Sequence, residues 1–145
     1  MPTQLSPHFT LEELTVTGTG LDNSPPQAML ATLKRTAAKM EEVRTLLGGK
    51  AITVNSAFRN KAVNEAVGGV PNSAHALGFA VDFTCASFGT PFDICKKIAA
   101  SKLQFDQLIH ERRNWVHLSF DPNRNRRQLL TLPVTGSAYQ DGILP

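Results

Sequence analysis

Ala80-Val81-Asp82-Phe83-Thr84-Cys85 alternates in polarity, and so does Trp115-Val116-His117-Leu118-Ser119-Phe120. Successive side chains of a strand point to opposite faces of the sheet. Val81, Phe83 and Cys85 therefore share one face of the first stretch, and Val116, Leu118 and Phe120 one face of the second. These are the core faces. The other faces carry Ala80, Asp82 and Thr84 on one strand and Trp115, His117 and Ser119 on its counterpart. A carboxylate and an imidazole thus stand on the open faces of two strands, where they can converge. The core face of the second stretch is already filled, so the pattern does not make His117 a core histidine.

Outward from these strands, Gln107 to Glu111 reads as a third, joined to Trp115 by the short turn Arg112-Arg113-Asn114. A three-residue loop there pairs Glu111 with Trp115 and puts it on the His117 face. A two-residue turn would flip it to the other face. Ala51 to Asn55 alternates as well, with Ile52 and Val54 inward. The apolar positions Met29, Leu30, Leu33, Ala37, Met40, Val43, Leu46 and Leu47 predict a helix over 27–47, stopped by Gly48-Gly49. Pro91 to Ser101 reads as a second helix, and Asn60 to Val67 as a short one carrying Asn64. Phe9 to Leu14 reads as another, with Thr10 and Glu13 spaced as a capping box. Residues 18–26 and 68–72 are loops, marked by glycine, proline and asparagine. The stretch 121–145 is weakly patterned and reads as an arm over the surface. The expectation is one α+β domain over 1–145, with its core at about 5–120. It should have a small, mainly antiparallel sheet with helices packed on one face.

A chain of 145 residues, 41% hydrophobic and 19% charged, is long enough for a real core and too apolar for disorder. No apolar run reaches the roughly 18 residues of a membrane span. Met1 to His8 lacks the basic start and apolar stretch of a secretory leader, which predicts synthesis in a cytoplasm. Cys85 and Cys95 form neither a C-x-x-C pair nor a zinc cluster, and read first as two reduced, buried thiols; a disulfide stays open, since spacing alone does not place their Cα atoms within bonding range. The net charge of +3 and pI near 9.1 suit an anionic polymer, nucleic acid or bacterial wall, without choosing between them. A solvated basic face explains Arg112, Arg113, Arg124, Arg126 and Arg127 equally well.

Upstream of Asp82 lies Ser73-Ala74-His75-Ala76-Leu77-Gly78-Phe79-Ala80-Val81. Gly78 can take backbone angles closed to other residues, so the chain can bend between His75 and the strand. That bend brings His75 toward Asp82, and the small Ala80 leaves room there. Two histidines and one carboxylate form a common catalytic zinc set with an open position. A lone histidine or a strand aspartate is more often structural, so spacing by itself leaves the three as candidates.

Ser73 to Asp82 fits every fixed position of the pattern S-x-H-x-x-G-x-A-x-D. In this it resembles the zinc D-Ala-D-Ala carboxypeptidase and L-Ala-D-Glu endopeptidase family of peptidoglycan metallopeptidases. Leu5 to Leu14, Asp22 to Pro26, Ser56 to Arg59, Asn64 to Gly69, Phe105 to Glu111 and Trp115 to Ser119 resemble its phage endolysin-type branch. The likeness spans roughly residues 5 to 120. It implies a hedgehog/D-Ala-D-Ala peptidase-like fold and one zinc ion on His75, Asp82 and His117. Better-known members place an acid three residues before the last ligand; position 114 here is Asn, which cannot act as a base. Glu111 matches the glutamate that the phage branch carries before the hairpin turn, and is expected to be the base. The alternative is a surface partner for Arg112 or Arg113.

By the same resemblance Arg59 holds a substrate carboxylate or stabilises the charged intermediate, unless it serves a structural salt bridge. Ser73 is expected to hydrogen-bond the substrate or a ligand. Trp115 is a stacking wall or a packing residue, His110 a cleft or outer-layer residue, and His8 neither. Carboxypeptidases and endopeptidases share the metal motif, so the motif does not fix the bond. The implied partner is peptidoglycan, with no nucleic acid and no stable membrane association. A monomer is expected because no long apolar stripe is spare. The alternative is a non-catalytic wall-binding or virion structural module on the same fold, suggested by Asn114 and opposed by the intact ligand set.

Overall fold

A computed structural model describes residues 3–145 of the chain. Met1 and Pro2, the first residues of the stretch read for a leader, lie outside the described residues. The described part opens with a small hairpin, β1 (Gln4–Ser6) and β2 (Phe9–Thr10), then α1 (Leu11–Leu14). Thr10 caps α1 as its spacing predicts: its hydroxyl accepts the Glu13 N–H, and the Glu13 carboxylate accepts the Thr10 N–H. A 3-10 turn (Gln27–Met29) leads into α2 (Leu30–Leu46). Leu33, Ala37, Met40 and Val43 of α2 are buried, and Gly48 and Gly49, both at positive φ, end the helix. Then come β3 (Thr53–Ser56), α3 (Lys61–Ala66), β4 (Ala80–Thr84) and α4 (Pro91–Ala99). Asn60 caps α3, and Thr90 with Asp93 boxes α4, whose first residue is Pro91.

The hairpin of β5 (Gln107–Glu111) and β6 (Trp115–Ser119) follows, and β7 (Gln128–Leu132) and β8 (Gln140–Asp141) close the chain. The six-stranded sheet runs β3-β4-β6-β5-β7-β8. Its pairs are antiparallel apart from the parallel β5 and β7. Val81, Phe83, Cys85, Val116, Leu118 and Phe120 join the buried residues of α2 and α4 in one core. Among the described residues no helix is long and apolar enough to cross a membrane. Both cysteines are free and buried, and burial pushes the Cys95 thiol up to about 12.

The segment 121–145 is not a surface arm. It supplies two strands of the sheet, and Gly142 N–H bonds back to the Leu129 carbonyl. The reason lies in burial. Leu130, Thr131 and Leu132 are all buried, so β7 is covered on both faces and shows no alternation to read.

Arginines anchor the crossover into β7. Arg126 forks onto Asp106 at 2.7 and 2.9 Å, and Arg127 donates to the Ser101 and Leu103 carbonyls over the Phe105 ring. The Arg126 hydrogen bond holds the Asp106 carboxyl below its ordinary range. A depressed carboxyl adds stability above its unfolded value of about 3.9, and this is lost as pH falls through the folded value. Acid titration of unfolding should therefore show a destabilising phase below about pH 4 that is missing in Asp106→Asn. Superimposable acid limbs would show that the fork carries no such linkage.

Candidate metal centre and cleft

His75 sits in a tight turn between α3 and β4. Ser73 Oγ accepts the Ala76 N–H, Ser73 O accepts the Leu77 N–H and Ala74 O accepts the Phe79 N–H. Ser73 also donates to Asn64 Oδ1 at 3.2 Å, so its hydroxyl ties the turn to α3. Gly78 makes the bend with φ of +79°. A Cβ there would lie 2.7 Å from Met29 Sδ and 3.2 Å from Thr32 Cγ2. Gly78→Ala combines left-handed backbone strain with that overlap, so a loss of about 2 kcal/mol or more is expected in denaturant unfolding. A change below about 0.5 kcal/mol would mean the bend relaxes freely.

The turn aims His75 at Asp82. His75 Nδ1 lies 2.7 Å from the Ala57 carbonyl, which only accepts, so Nδ1 carries the proton. Nε2 then points its lone pair at Asp82 Oδ2, 3.2 Å away. Two lone pairs facing each other at that distance require a shared cation or a second proton. His117 Nδ1 is 2.9 Å from Asp82 Oδ1 on the neighbouring strand, where the two residues are direct partners in the register. His75, Asp82 and His117 are all buried, each offers one ligand atom, and these atoms lie within 4.8 Å of one another. Two imidazole nitrogens and one carboxylate oxygen at one point can hold one metal ion.

In the metal-free protein burial pushes Asp82 up. The hydrogen bonds and charges of His117 and His75 outweigh it and hold the carboxyl well below the usual range. Burial pushes the His117 imidazole down, and the hydrogen bond and charge of Asp82 outweigh it to leave it raised.

Glu111 pairs with Trp115, and Ile109 with His117, so Glu111 shares the His117 face. Arg112 and Arg113 take φ of +52° and +62°, and Asn114 N–H bonds to the Glu111 carbonyl. Two left-handed residues make a type I′ turn, and Asn114 adds the third loop residue. Burial first, and then the Asp82 charge, lift the Glu111 carboxyl above its ordinary value.

Arg59 stands across the centre, its Nη2 3.8 Å from Asp82 Oδ2 and its Nε donating to Ser56 Oγ. Its backbone N–H bonds to the His75 carbonyl. Arg59, Asp82 and Trp115 line one cavity of about 280 Å³, and Arg59 and Ala76 line a second of about 440 Å³ beside it. Trp115 Nε1 is buried there and meets no acceptor among the described residues.

Comparison with known proteins places the chain in a family. The family model described as Peptidase M15 matches residues 7–119. The chain belongs to the peptidase M15 family. A stretch of 51 residues is 43% identical to a zinc D-Ala-D-Ala carboxypeptidase of Streptomyces albus G. That stretch is 35% of this chain and 20% of the relative, so the match spans about a fifth of the relative's length.

In this M15 chain His110 is not in the cleft. It lies opposite Val116 on the core face, packed near Phe92, with Nδ1 2.7 Å from the Leu144 carbonyl. The strand register decides this: one residue from Glu111 means the other face. His8 pairs with Glu41, far along the chain from the ligand set. Asn23 is a residue whose part the sequence alone did not reveal. Buried, it donates to the Thr15 and Phe58 carbonyls and accepts the Asn60 N–H, fixing the loop beside Arg59. Its signal was its place in the loop Asp22 to Pro26, though nothing in the sequence names its partners.

Proposed function

We propose that this chain is a zinc-dependent peptidase of bacterial peptidoglycan. It cuts stem peptides or cross-links as a phage endolysin, works as a monomer, and acts on the wall after leaving the bacterial cytoplasm. The observation that carries the reading is the convergence of His75, Asp82 and His117 on one point, with Glu111 on the same face. On this reading His75, Asp82 and His117 hold the ion, the helices lie on one face of the sheet, and the other face is left to the site. Zinc supplies Lewis-acid polarisation of the scissile carbonyl and acidifies water. Glu111 takes a proton from water and passes it to the leaving amine. The Arg59 guanidinium holds a substrate carboxylate or the developing negative charge. Trp115 walls the cleft, and Ser73 borders the substrate from the turn it secures. The phage assignment is supported by the stretches outside the metal motif, from Leu5 to Leu14 through Phe105 to Glu111.

The test is digestion of purified peptidoglycan followed by mass analysis, with parallel samples in chelator and in chelator followed by zinc. Fragments that vanish with chelator and return with zinc are expected, and their masses name the bond. Folded, zinc-loaded protein that releases nothing would overturn the reading in favour of a wall-binding module.

A further inference from the structure

The last two strands bring another side chain to the cleft, from beyond the family match at 7–119. In β8, Asp141 faces Leu130 and Gln140 faces Thr131. Tyr139 immediately precedes β8, and the register continued by one residue places it beside Leu132. Leu132 is the register partner of Glu111, and Glu111 that of Trp115. One row thus crosses the sheet through Trp115, Glu111 and Leu132, and Tyr139 stands next along it, just before β8. Alternation fixes its face. Thr131 is partnered by His110, which faces away from the site with Val116. Leu132 consequently points to the site's side, and the same alternation carried one residue back from Gln140 turns Tyr139 that way.

The loop between β7 and Tyr139 is held at its start. The Arg112 guanidinium donates to the Pro133 and Val134 carbonyls, both at 3.2 Å. Beyond it, Thr131 Oγ1 donates to the Gly142 carbonyl at 2.8 Å and accepts the Leu144 N–H at 2.9 Å. Tyr139 is nonetheless 54% exposed, so its ring is not there to fill the core. Strands lie about 4.8 Å apart, so two spacings, roughly 10 Å, separate its backbone from that of Glu111. Two long side chains reaching over Leu132 can close that gap. The phenol feels the site: partial burial first, then the Glu111 and Asp82 carboxylates, raise its pKa, with Arg112 opposing. It therefore keeps its proton at neutral pH and remains a donor.

We infer that Tyr139 is a further substrate-binding residue, whose phenol O–H donates a hydrogen bond to the peptide on the Glu111 side of the cleft. Arg59 and Tyr139 then grip the substrate from the two ends of the sheet, with Asp82, His117 and Glu111 between them. The inference rests on the peptidase reading and adds a contact to it.

The test compares zinc-loaded wild type with Tyr139→Phe on soluble muropeptides. Loss of one neutral hydrogen bond should lower kcat/KM about 5- to 10-fold, chiefly through KM, with zinc content and Tm unchanged. The chain has a single tyrosine, so a ring-labelled sample gives one set of resonances. That set should shift as muropeptide saturates chelator-treated protein. Tyr139→Leu, which also removes the ring, should lose at least as much kcat/KM without a change in Tm. A Tyr139→Phe enzyme equal to wild type would overturn the inference and leave the peptidase reading standing. A loss matched by a fall in Tm would likewise overturn it, in favour of a structural role. Wild type that cuts nothing would overturn the peptidase reading itself.

Discussion

Replacing Glu111 with Gln is expected to lower kcat on peptidoglycan by about 10²- to 10⁴-fold, the range for losing a general acid–base group. Glu111 shares the His117 face through the Trp115 pairing, and it is the carboxyl near the ligand set that the set itself does not use. Gln keeps its shape and donates hydrogen bonds but cannot take a proton. Zinc content and Tm should therefore stay at wild-type values while turnover falls. A base works only when ionised, so wild-type activity should fall as pH drops through the Glu111 pKa, and this acid limb should be missing from the residual activity of the variant. KM should change little, because the proposed role of the residue is in the proton transfer. Turnover within a factor of two of wild type would remove Glu111 from the mechanism. Restoring an acid at position 114, as Asn114→Asp, would then be the next variant to measure.

The convergence of Asp82 and His117 on one face was legible because strand alternation is a local signal. Val81 and Phe83 take the core face of β4 and so place Asp82; Val116 and Leu118 do the same for His117. The position of Glu111 depended on one loop residue. Asn114 as a third loop residue keeps the carboxylate on the site's face, and the sequence could state that condition without meeting it. β7 was not legible, because Leu129-Leu130-Thr131-Leu132 is covered on both faces and loses its period. With β7 went the reading of Tyr139, which has meaning only once its row across the sheet is known. His110 shows the same limit from the other side. As a residue type it suits a site, but the register gives it to the core, where the chain's own end supplies its partner. The basic cluster was visible as charge, yet its use was not: Arg112, Arg126 and Arg127 are occupied by carbonyls and by Asp106. Charge counts are local, whereas those partners lie about 20 residues away in the chain.

Replacing Asp82 with Asn should abolish tight zinc binding and activity together, and should also destabilise the metal-free protein in a pH-dependent way. If Asp82 is a direct ligand as proposed, its loss exceeds the 10- to 100-fold affinity loss typical of outer-shell partners. The metal-free effect follows from the pair chemistry. Asp82 faces His117 at 2.9 Å, His75 at 3.2 Å and Arg59 at 3.8 Å. Removing one member of such a buried group costs about 3–5 kcal/mol when the remaining charge is left unpaired. Asp82 is depressed, so its contribution is present above the unfolded value of about 3.9 and disappears as pH falls through the folded value. His117 is raised, so its contribution is full below about 6.5 and disappears as pH rises through the folded value. The stability gap between chelated wild type and Asp82→Asn should therefore be widest between about pH 4 and 6.5, and should narrow at alkaline pH. Zinc reverses the trend in wild type, because binding needs deprotonated imidazoles and strengthens as pH rises. Denaturant unfolding at acid and alkaline pH, each with chelator and with zinc, measures all four arms. A gap in the chelated protein that does not change with pH would mean that Asp82 and His117 are not ionically paired without the metal. Wild-type zinc affinity retained by Asp82→Asn would remove the carboxylate from the ligand set altogether.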